Sequence, residues 1–584
     1  MLTIKIRPRT VDQTTYQALI AQGVSPLIAR ILAARPTTKN PEKLYQPSLK
    51  MLDHPQQLAA IDTAVARLIQ AIQHGEVIGI ETDHDCDGQT SHAVIFTTLT
   101  QCFQYPKSKT LSFIGHRLEE GYGLSDALAK RILDHEPRPT LVITADNGST
   151  DEPRIAELKA AGIDTIVTDH HQIPETGIPT SAIAVLNPTR TDCQFPDPYI
   201  AGCMVAWLFM AATRRALIET GQLPETCMPM QDVLDFVAVG TVADCVSMAR
   251  SLNNRAVVQY GLKRIQNSQR PCWQAIRPLI KNPRISSDDL GFTIGPLLNS
   301  DGRLSDALGS VSFLLADDVA QATTWVQTLW QQNQARKQIQ KSLVAQAMQT
   351  AEQLVNAGHY SLVIQLPDGH AGVHGIAASR IKDHFGRPTI LFSQKQNHPE
   401  LLTGSARSID DLDIRQCMAD AVERLQDERI HFGGHRGAAG ITLPTSCFTD
   451  FQQAFETAAR NSLKPDMIGP ALWTDGPLTP DLLNLKTVDE LIQLEPFGRE
   501  FDRPTFELNA TLTAVKTIGQ DANHAKLTLN IAGHAYPAIW FNCCSEDNPL
   551  TYTVGDAVSC VVSLQDNHYY TRELQLQILH LESC

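Results

Sequence analysis

Three short apolar stretches, each running straight into acidic or imidazole side chains, constrain this chain more than any other feature. Val77-Ile-Gly-Ile80 leads to Glu81-Thr-Asp-His-Asp-Cys-Asp-Gly-Gln-Thr-Ser91, Leu141-Val-Ile-Thr144 to Asp146-Asn-Gly-Ser149, and Thr165-Ile-Val-Thr168 to Asp169-His-His171. Helical spacing marks the segments before and between them: Ile61 to Ile72 closed by Gly75, Asp126–Leu133, and Glu152–Ala161 closed by Gly162. Short apolar strands alternating with helices predict a parallel α/β sheet with right-handed crossovers. The carboxyl ends of neighbouring strands in such a sheet open on one crevice. Three separate segments would then deliver Asp or His to a single edge.

The chemistry of that edge follows from the side chains. Asp83, Asp85 and Asp87 alternate, and on an extended segment they would project to the same side. Carboxylates so placed repel one another unless cations lie between them. An EF-hand loop is excluded, because counting Asp83 as position one puts Val94, not Glu, at position twelve. A solvated acidic turn would explain this run alone, but it does not explain Asp146, Asp169 and His170 at other strand ends. A fourth contributor is Val239-Gly-Thr-Val-Ala-Asp244, whose apolar surround implies a buried carboxylate in need of a partner or a metal. Carboxylates with an imidazole and no thiolate suit Mg²⁺ or Mn²⁺ better than Zn²⁺. A carboxylate-rich site for two such ions serves in-line phosphoester hydrolysis, lowering the pKa of the attacking water and stabilising the developing charge.

The rest of the 584 residues divides by character, and at this length about four domains are expected. The first fifty residues read as helix and loop, punctuated by Pro36, Pro41 and Pro47. Ala316 to Ala357 holds no Gly or Pro, with Val326, Leu329, Trp330, Ile339, Leu343, Val344, Ala347 and Met348 at helical spacing. This predicts one or two long connecting helices. A second α/β unit runs from Ser361–Leu366 through Pro388–Phe392 to a Gly-rich segment at 433–440. From Met467 short alternating runs (Ala510–Val515, Ala525–Ile531, Thr551–Val554, Ala557–Val562, Glu573–Ile578) predict a small β-barrel or sandwich.

Thirteen cysteines without a C-x-x-C pair argue for a reduced, cytoplasmic setting. The N-terminus has no apolar h-region, and the longest uncharged, mainly apolar run, Tyr199 to Thr213, is too short to span a bilayer. Neither a signal peptide nor a membrane span is expected.

With 49 basic and 63 acidic residues the formal net charge is −14. A basic protein that coats nucleic acid is thereby excluded. The excess is uneven: residues from Met467 onward carry 6 basic and 15 acidic side chains, a net of −9. The remainder is −5, and without Asp83, Asp85, Asp87, Asp146, Asp169 and Asp244 it becomes +1. A metal-charged core is compatible with nucleic acid. The acidic C-terminal module is expected to dock a partner or guide a strand.

Taken together, these segments closely resemble the DHH phosphoesterase superfamily, and within it the single-stranded-DNA exonucleases, over nearly the whole chain. Asp83–Ser91 resembles the first motif, Asp146-Asn-Gly the second, Asp169-His-His171 the third and Gly240-Thr-Val-Ala-Asp244 the fourth. His116–Ser125 and Gly295–Leu304 resemble further catalytic-domain segments. Gly375–Arg380, Gly404–Ser408 and Gly433–Gly440 resemble the DHH-associated domain, and Leu494-Glu-Pro-Phe-Gly498 the approach to an OB-fold.

The resemblance implies an α/β fold of two lobes, a DHH catalytic domain with a parallel sheet and a DHH-associated domain, joined by a long helix and followed by an OB-type β-barrel. The corresponding division is an N-terminal arm (1–50), catalytic domain (51–310), connecting helices (311–358), substrate-binding domain (359–466) and OB-fold (467–584). It implies a Mn²⁺- or Mg²⁺-dependent exonuclease that degrades single-stranded DNA from the 5′ end in repair and recombination. The metal ligands would be Asp83, Asp85, Asp146, His170 and Asp244, with His171 facing the scissile phosphate and Asp87 and Asp169 in support. For the DNA backbone, Gly433 and Gly434 allow close approach to N–H donors, and His435 and Ser405 add side-chain partners. Arg303, Arg380 and Arg407 offer guanidinium forks.

Relative to the family pattern, His84 and Cys86 replace Tyr and Ala, Asn147 replaces Cys, and Ser247 stands where Pro is common. Two other readings stay open: a DHH enzyme for short oligoribonucleotides or cyclic dinucleotides, and a non-catalytic replication or repair scaffold. The long connector and β-rich module argue against the first, and the complete acidic set against the second. A helicase or single-strand-binding protein is the expected partner of the acidic module.

Overall fold

The computed structural model describes residues 4–36, 40–115, 120, 123–304, 308–367, 369–396, 398–519, 521–544, 549–567 and 572–584, with backbone alone at 302–304. The chain forms two compact units. The first comprises Arg7–Ile114, Gly123–Gly295 and Trp473–Cys584; the second is mainly Pro296–Leu472.

Five parallel strands centre the first unit: β1 (Ile78–Thr82), β2 (Thr110–Ile114), β3 (Leu141–Ala145), β4 (Asp164–Thr168) and β5 (Ala184–Leu186), in the order β2-β1-β3-β4-β5. Every residue of β1, β3 and β5 is buried. Helices cover both faces of a parallel sheet, which is why these strands read as unbroken apolar runs rather than alternating ones. The covering helices are α1 (Ile61–His74), α2 (Cys86–Thr97), α3 (Asp126–Leu133), α4 (Glu152–Ala160), α5 (Gly202–Glu219), α6 (Leu234–Ala243) and α7 (Leu252–Gln266). On one face Leu128 and Ile132 of α3 and Ile155 and Leu158 of α4 pack over Phe113, Val142 and Val167. α2 packs against both α5 and α6 and is buried nearly all round.

In the second unit the connector is a single helix, α8 (Val319–Asn356), of 38 residues. It leads to a mixed sheet of β6 (Leu362–Gln365), β7 (Thr389–Lys395), β8 (His398–Arg407), β9 (His431–His435) and β10 (Ala438–Pro444), ordered β9-β10-β8-β7-β6. Only β6 and β7 run parallel. Alternation along β6 and β7 sends Leu362, Ile364 and Leu391 toward α8 and α9 (Ala371–Phe385), where Leu343, Ala347 and Ala377 meet them. Val363, Ile390 and Phe392 face α10 (Ile414–Leu425) and α11 (Phe448–Ser462), packing on Met418, Phe451 and Phe455.

Residues 473–584 rejoin the first unit through α12 (Leu485–Ile492) and a closed barrel of β11 (Phe506–Ile518), β12 (His524–Ile531), β13 (His534–Trp540), β14 (Ala557–Asn567) and β15 (Glu573–Ser583). The order is β11-β12-β13-β15-β14, with β13 and β15 parallel. One expected strand is corrected here. Thr551–Val554 lies outside any strand, and the third barrel strand is β13, whose Pro537 pairs opposite Thr528. A proline inside a run argues against a strand, and this one hid β13.

Buried arginines tie this region to the rest of the unit. Arg35 meets Asp475 through Nη1–Oδ1 (2.5 Å) and Nη2–Oδ2 (3.1 Å). Arg255 of α7 is wholly buried and, among the described residues, has no carboxylate partner. It donates to the carbonyls of Leu44 (3.0 Å), Leu494 (2.6 Å) and Pro496 (3.0 Å), with its guanidinium 4.2 Å from the Phe501 ring centre. Burial without an anion lowers its pKa to about 9. Among the described residues no helix is long and apolar enough to cross a membrane.

Candidate metal centre

β1, β3 and β4 are neighbours, so their carboxyl ends deliver Asp83, Asp146 and Asp169-His170-His171 to one edge. The hydrogen bonding of β3 and β4 runs one residue past each strand's end, with Asp146 N donating to Thr168 O (2.9 Å) and Asp169 N to Leu186 O (3.0 Å). These bonds fix where the acids begin. Asp244 follows the last turn of α6 and reaches the same place from another element, half-buried at the end of its helix rather than enclosed by its apolar neighbours as expected.

The first acidic run is not extended throughout, contrary to the alternation argument. The chain leaves β1 at Asp83 and enters α2 at Cys86, and Asp85 is the cap between them. Its Oδ1 accepts from Asp87 N (2.9 Å) and Gly88 N (3.2 Å), satisfying donors that open a helix. Asp87, in the first turn, faces α5 and takes the Gly202 (2.7 Å) and Cys203 (3.0 Å) N–H groups. Two glycines permit this density. A side chain at Gly202 would start 2.6 Å from Asp146 Oδ1, and one at Gly240 would run into Thr90 Oγ1.

His170 Nε2 stands 3.1 Å from Asp146 Oδ1, 3.6 Å from Asp244 Oδ2 and 3.9 Å from Asp87 Oδ2. Among the described residues, both Asp146 Oδ1 and His170 Nε2 are buried and make no hydrogen bond, while the Ile200 carbonyl acts on the His170 ring. A carbonyl that holds one ring nitrogen in this way leaves the other ready for a metal. Three sets of candidate ligand atoms lie within 4.8 Å of one another: Asp83, Asp85 and Asp146; Asp87, His170 and Asp244; and Asp146, His170 and His171. Asp146 is shared by two of these sets and His170 by two. Hard oxygens with an imidazole, withdrawn from solvent and mutually repelling, fit divalent cations.

The electrostatics agree with that fit. Burial, and then Asp87, Asp85 and Asp244, push the Asp146 carboxyl well above the usual range. Asp244 is raised by burial and by Asp87 and Asp85, and Asp85 by burial and by Asp83 and Asp87. Asp169 differs. Burial raises it, but the His171 hydrogen bond and charge prevail and hold it well below a normal carboxylate. It accepts from His170 N (2.7 Å), Ser149 N (3.0 Å) and His171 Nδ1 (2.8 Å). In return the Asp169 hydrogen bond and charge raise His171 to about 9 against partial desolvation, although its ring keeps an exposed face.

Some contributors gave no sign in the sequence. Asn147 Nδ2 donates to buried Glu81 Oε1 (2.9 Å) beneath the centre, and His84 Nδ1 lies 2.8 Å from Asp83 Oδ1. Only the strand-end position of Glu81 and Asn147 could have singled them out.

In the second unit, β10 aligns the residues expected to hold DNA. Ser405 pairs with Gly440 and Gly440 with Gly433; Arg407 pairs with Ala438 and Ala438 with His435. Ser405, Arg407, Gly433 and His435 therefore share one sheet face, with Gly434 between the last two at φ +144°. Arg407 Nη2 occupies the space that a Cβ on Gly375 would need, so the guanidinium rests on the backbone of α9. Arg380 is exposed on α9, near enough to buried Arg336 of α8 for its charge to act there. The Arg303 side chain, and most of the His116–Ser125 segment, lie outside the described residues.

Comparison with known proteins gives three family matches in order along the chain. The DHH family N-terminal domain matches residues 77–241, the DHHA1 domain 359–461 and the RecJ OB domain 474–580. The single-stranded-DNA-specific exonuclease RecJ of Haemophilus influenzae is 36% identical over 532 residues, 88% of this chain and 89% of that protein. The crystal structure of RecJ in complex with Mn²⁺ from Thermus thermophilus covers 100% of this chain and 80% of its own, with TM-score 0.78 and 24% identity, and shows the fold. A structure of exonuclease RecJ bound to manganese covers 70% of this chain and 96% of its own, with TM-score 0.55 and 28% identity.

Proposed function

This chain belongs to the RecJ family of single-stranded-DNA-specific exonucleases, and we propose that it hydrolyses single-stranded DNA from the 5′ end using two divalent cations, Mn²⁺ or Mg²⁺. The observation that carries this reading is the convergence of Asp83, Asp85, Asp146, His170 and Asp244, crowded and mutually repelling, at the edge of the parallel sheet. Bound cations supply water activation and charge neutralisation for in-line attack on a phosphodiester. Asp146 and His170 hold that pair of sites together, since each belongs to two ligand sets. Protonated His171, oriented by Asp169, donates to a phosphate oxygen as its negative charge grows. Asp87 fixes the start of α5 behind the ligands.

Ser405, Arg407, Gly433, Gly434 and His435, with Arg303 and Arg380, hold the DNA backbone. The working division is an N-terminal arm to residue 50, a catalytic domain to 310, connecting helices to 358, a substrate-binding domain to 466 and an OB-fold beyond. The protein acts in the cytoplasm, and its acidic C-terminal module docks a helicase or a single-strand-binding protein. The test is release of nucleotides from 5′-phosphorylated single strands by the purified chain with Mn²⁺, against duplex, RNA and a dinucleotide. Preferential cleavage of the single strand is expected. Turnover of the dinucleotide alone would mean a small-substrate phosphodiesterase, and inertness on all four a scaffold.

A further inference from the structure

The segment leading into the C-terminal barrel is bound to the loop that follows Asp244. Residues 498–501 close a tight turn, with Gly498 N donating to Phe501 O (3.1 Å) and Phe501 N to Gly498 O (3.0 Å). Glu500 takes φ +63° in that turn, and Cys245 takes φ +58° in the facing loop. Non-glycine residues hold this left-handed conformation only when their surroundings impose it. Here Glu500 is held in it by the facing loop. Glu500 Oε2 accepts from Ser247 Oγ (2.5 Å) and Arg250 Nε (3.0 Å), and Met248 N donates to the Arg499 carbonyl (3.0 Å). Gly498 lies so close that a Cβ there would start 2.9 Å from Met248 Cγ.

This clamp fixes the Arg499 backbone against Met248, four residues past Asp244 of the candidate metal centre. Arg250 is committed to Glu500 and to the Tyr199 ring, 5.7 Å from its guanidinium. Arg499 is exposed, and among the described residues its guanidinium makes no hydrogen bond or ion pair. It lies close enough to act electrostatically on the Asp244 carboxylate. An uncommitted cation on an anchored backbone beside an acidic metal site matches the anion that must enter there, because a guanidinium fork suits phosphate oxygens.

The structure assigns Arg499 a substrate-binding role: its guanidinium takes a non-bridging phosphate oxygen of the single strand as the strand enters the metal centre. This rests on the exonuclease reading and deepens it. The C-terminal segment, net acidic as a whole, then supplies one cationic DNA contact at the point where it meets the catalytic residues.

The test is steady-state cleavage of a 5′-phosphorylated single strand with Mn²⁺ by the full chain and by Arg499→Ala, across a KCl series. Binding of the same labelled strand is measured by fluorescence anisotropy in an Asp146→Ala background. Loss of one phosphate contact is expected to raise KM about tenfold with kcat within about twofold, and to flatten the log–log salt slope by about 0.7. Anisotropy should weaken in parallel, and Arg499→Lys should restore the slope. Unchanged KM, salt slope and anisotropy in Arg499→Ala overturn the proposal. So does a variant whose only change is its Mn²⁺ midpoint, since Arg499 would then be a counter-charge to Asp244. An active wild type with an indistinguishable variant sinks this contact alone, whereas an inactive wild type sinks the exonuclease reading and this contact with it.

Discussion

The candidate metal centre and the glycine-rich face of the second sheet, proposed to serve the same phosphodiester, are built in opposite ways. The candidate metal centre gathers like charges in a crevice, where burial and neighbouring carboxylates raise Asp146, Asp244 and Asp85. The sheet face spreads donors across antiparallel strands, with Ser405, Gly433, Arg407 and His435 set in rows by register and reached by solvent. Crowded like charges are unstable until cations arrive, so that site is specified by what it lacks. Donors on a solvent-exposed face compete with water, so their proposed contribution would show as substrate affinity.

Breaking the first site should therefore cost chemistry, and breaking the second should cost binding. Asp146→Ala carries the largest expected effect. It removes a ligand shared by two sets, and Mn²⁺-dependent turnover should fall by more than about a thousandfold. The metal-free variant should melt no lower than wild type, since a repelling buried carboxylate is gone. A large drop in metal-free melting temperature would show that Asp146 is structural. Next, His171→Asn should lower kcat by about a hundredfold through loss of one aligned donor, with KM little changed. A KM effect alone would move His171 to the binding side of the comparison. Arg407→Ala should instead raise KM about tenfold while kcat holds, and an equal fall in kcat would blur the contrast. Ser405→Ala should be smallest, about twofold to threefold in KM, as a single neutral hydrogen bond.

The contrast also predicts pH behaviour. Asp146 and Asp244 have folded pKa values above the ordinary 3.8, so folding favours their protonated forms. Their contribution to metal-free stability is greatest below that value and is lost as pH rises through the raised range. His171 adds a second loss in the same direction. Its folded value of about 9 exceeds 6.5, so its stabilisation is complete below 6.5 and disappears as pH rises through 9. Saturating Mn²⁺ should flatten the acid part of this slope in thermal melts. An identical slope with and without metal would remove these acids as its cause.

The two regions were unequally legible in the sequence. The strand-end acids could be read directly, because residue type and predicted topology pointed to one edge. What they did individually could not: Asp85 caps a helix and Asp87 binds the start of α5, roles set by backbone donors that in the second case lie 115 residues away. On the sheet face the residue types were visible, but the rows joining Ser405 to Gly433 and Arg407 to His435 depend on register through β10. Arg380, named by the same arginine-to-phosphate logic, lies on α9, where no strand register relates it to that row. In the barrel, Pro537 concealed β13, because ladder pairing is a tertiary outcome that local propensity opposes.

Arg255 has a consequence for how the chain is made. Synthesis runs from the N-terminus, and the carbonyls that receive this guanidinium at Leu494 and Pro496 lie 239 and 241 residues later. Until they emerge from the ribosome, sealing α7 into its final place would strand an unsatisfied cation in apolar surroundings, which folding strongly disfavours. The catalytic half can therefore complete its own interior only when this distant stretch of the polypeptide has been translated. A chain terminated before Leu494 would lack these acceptors and leave this joint open.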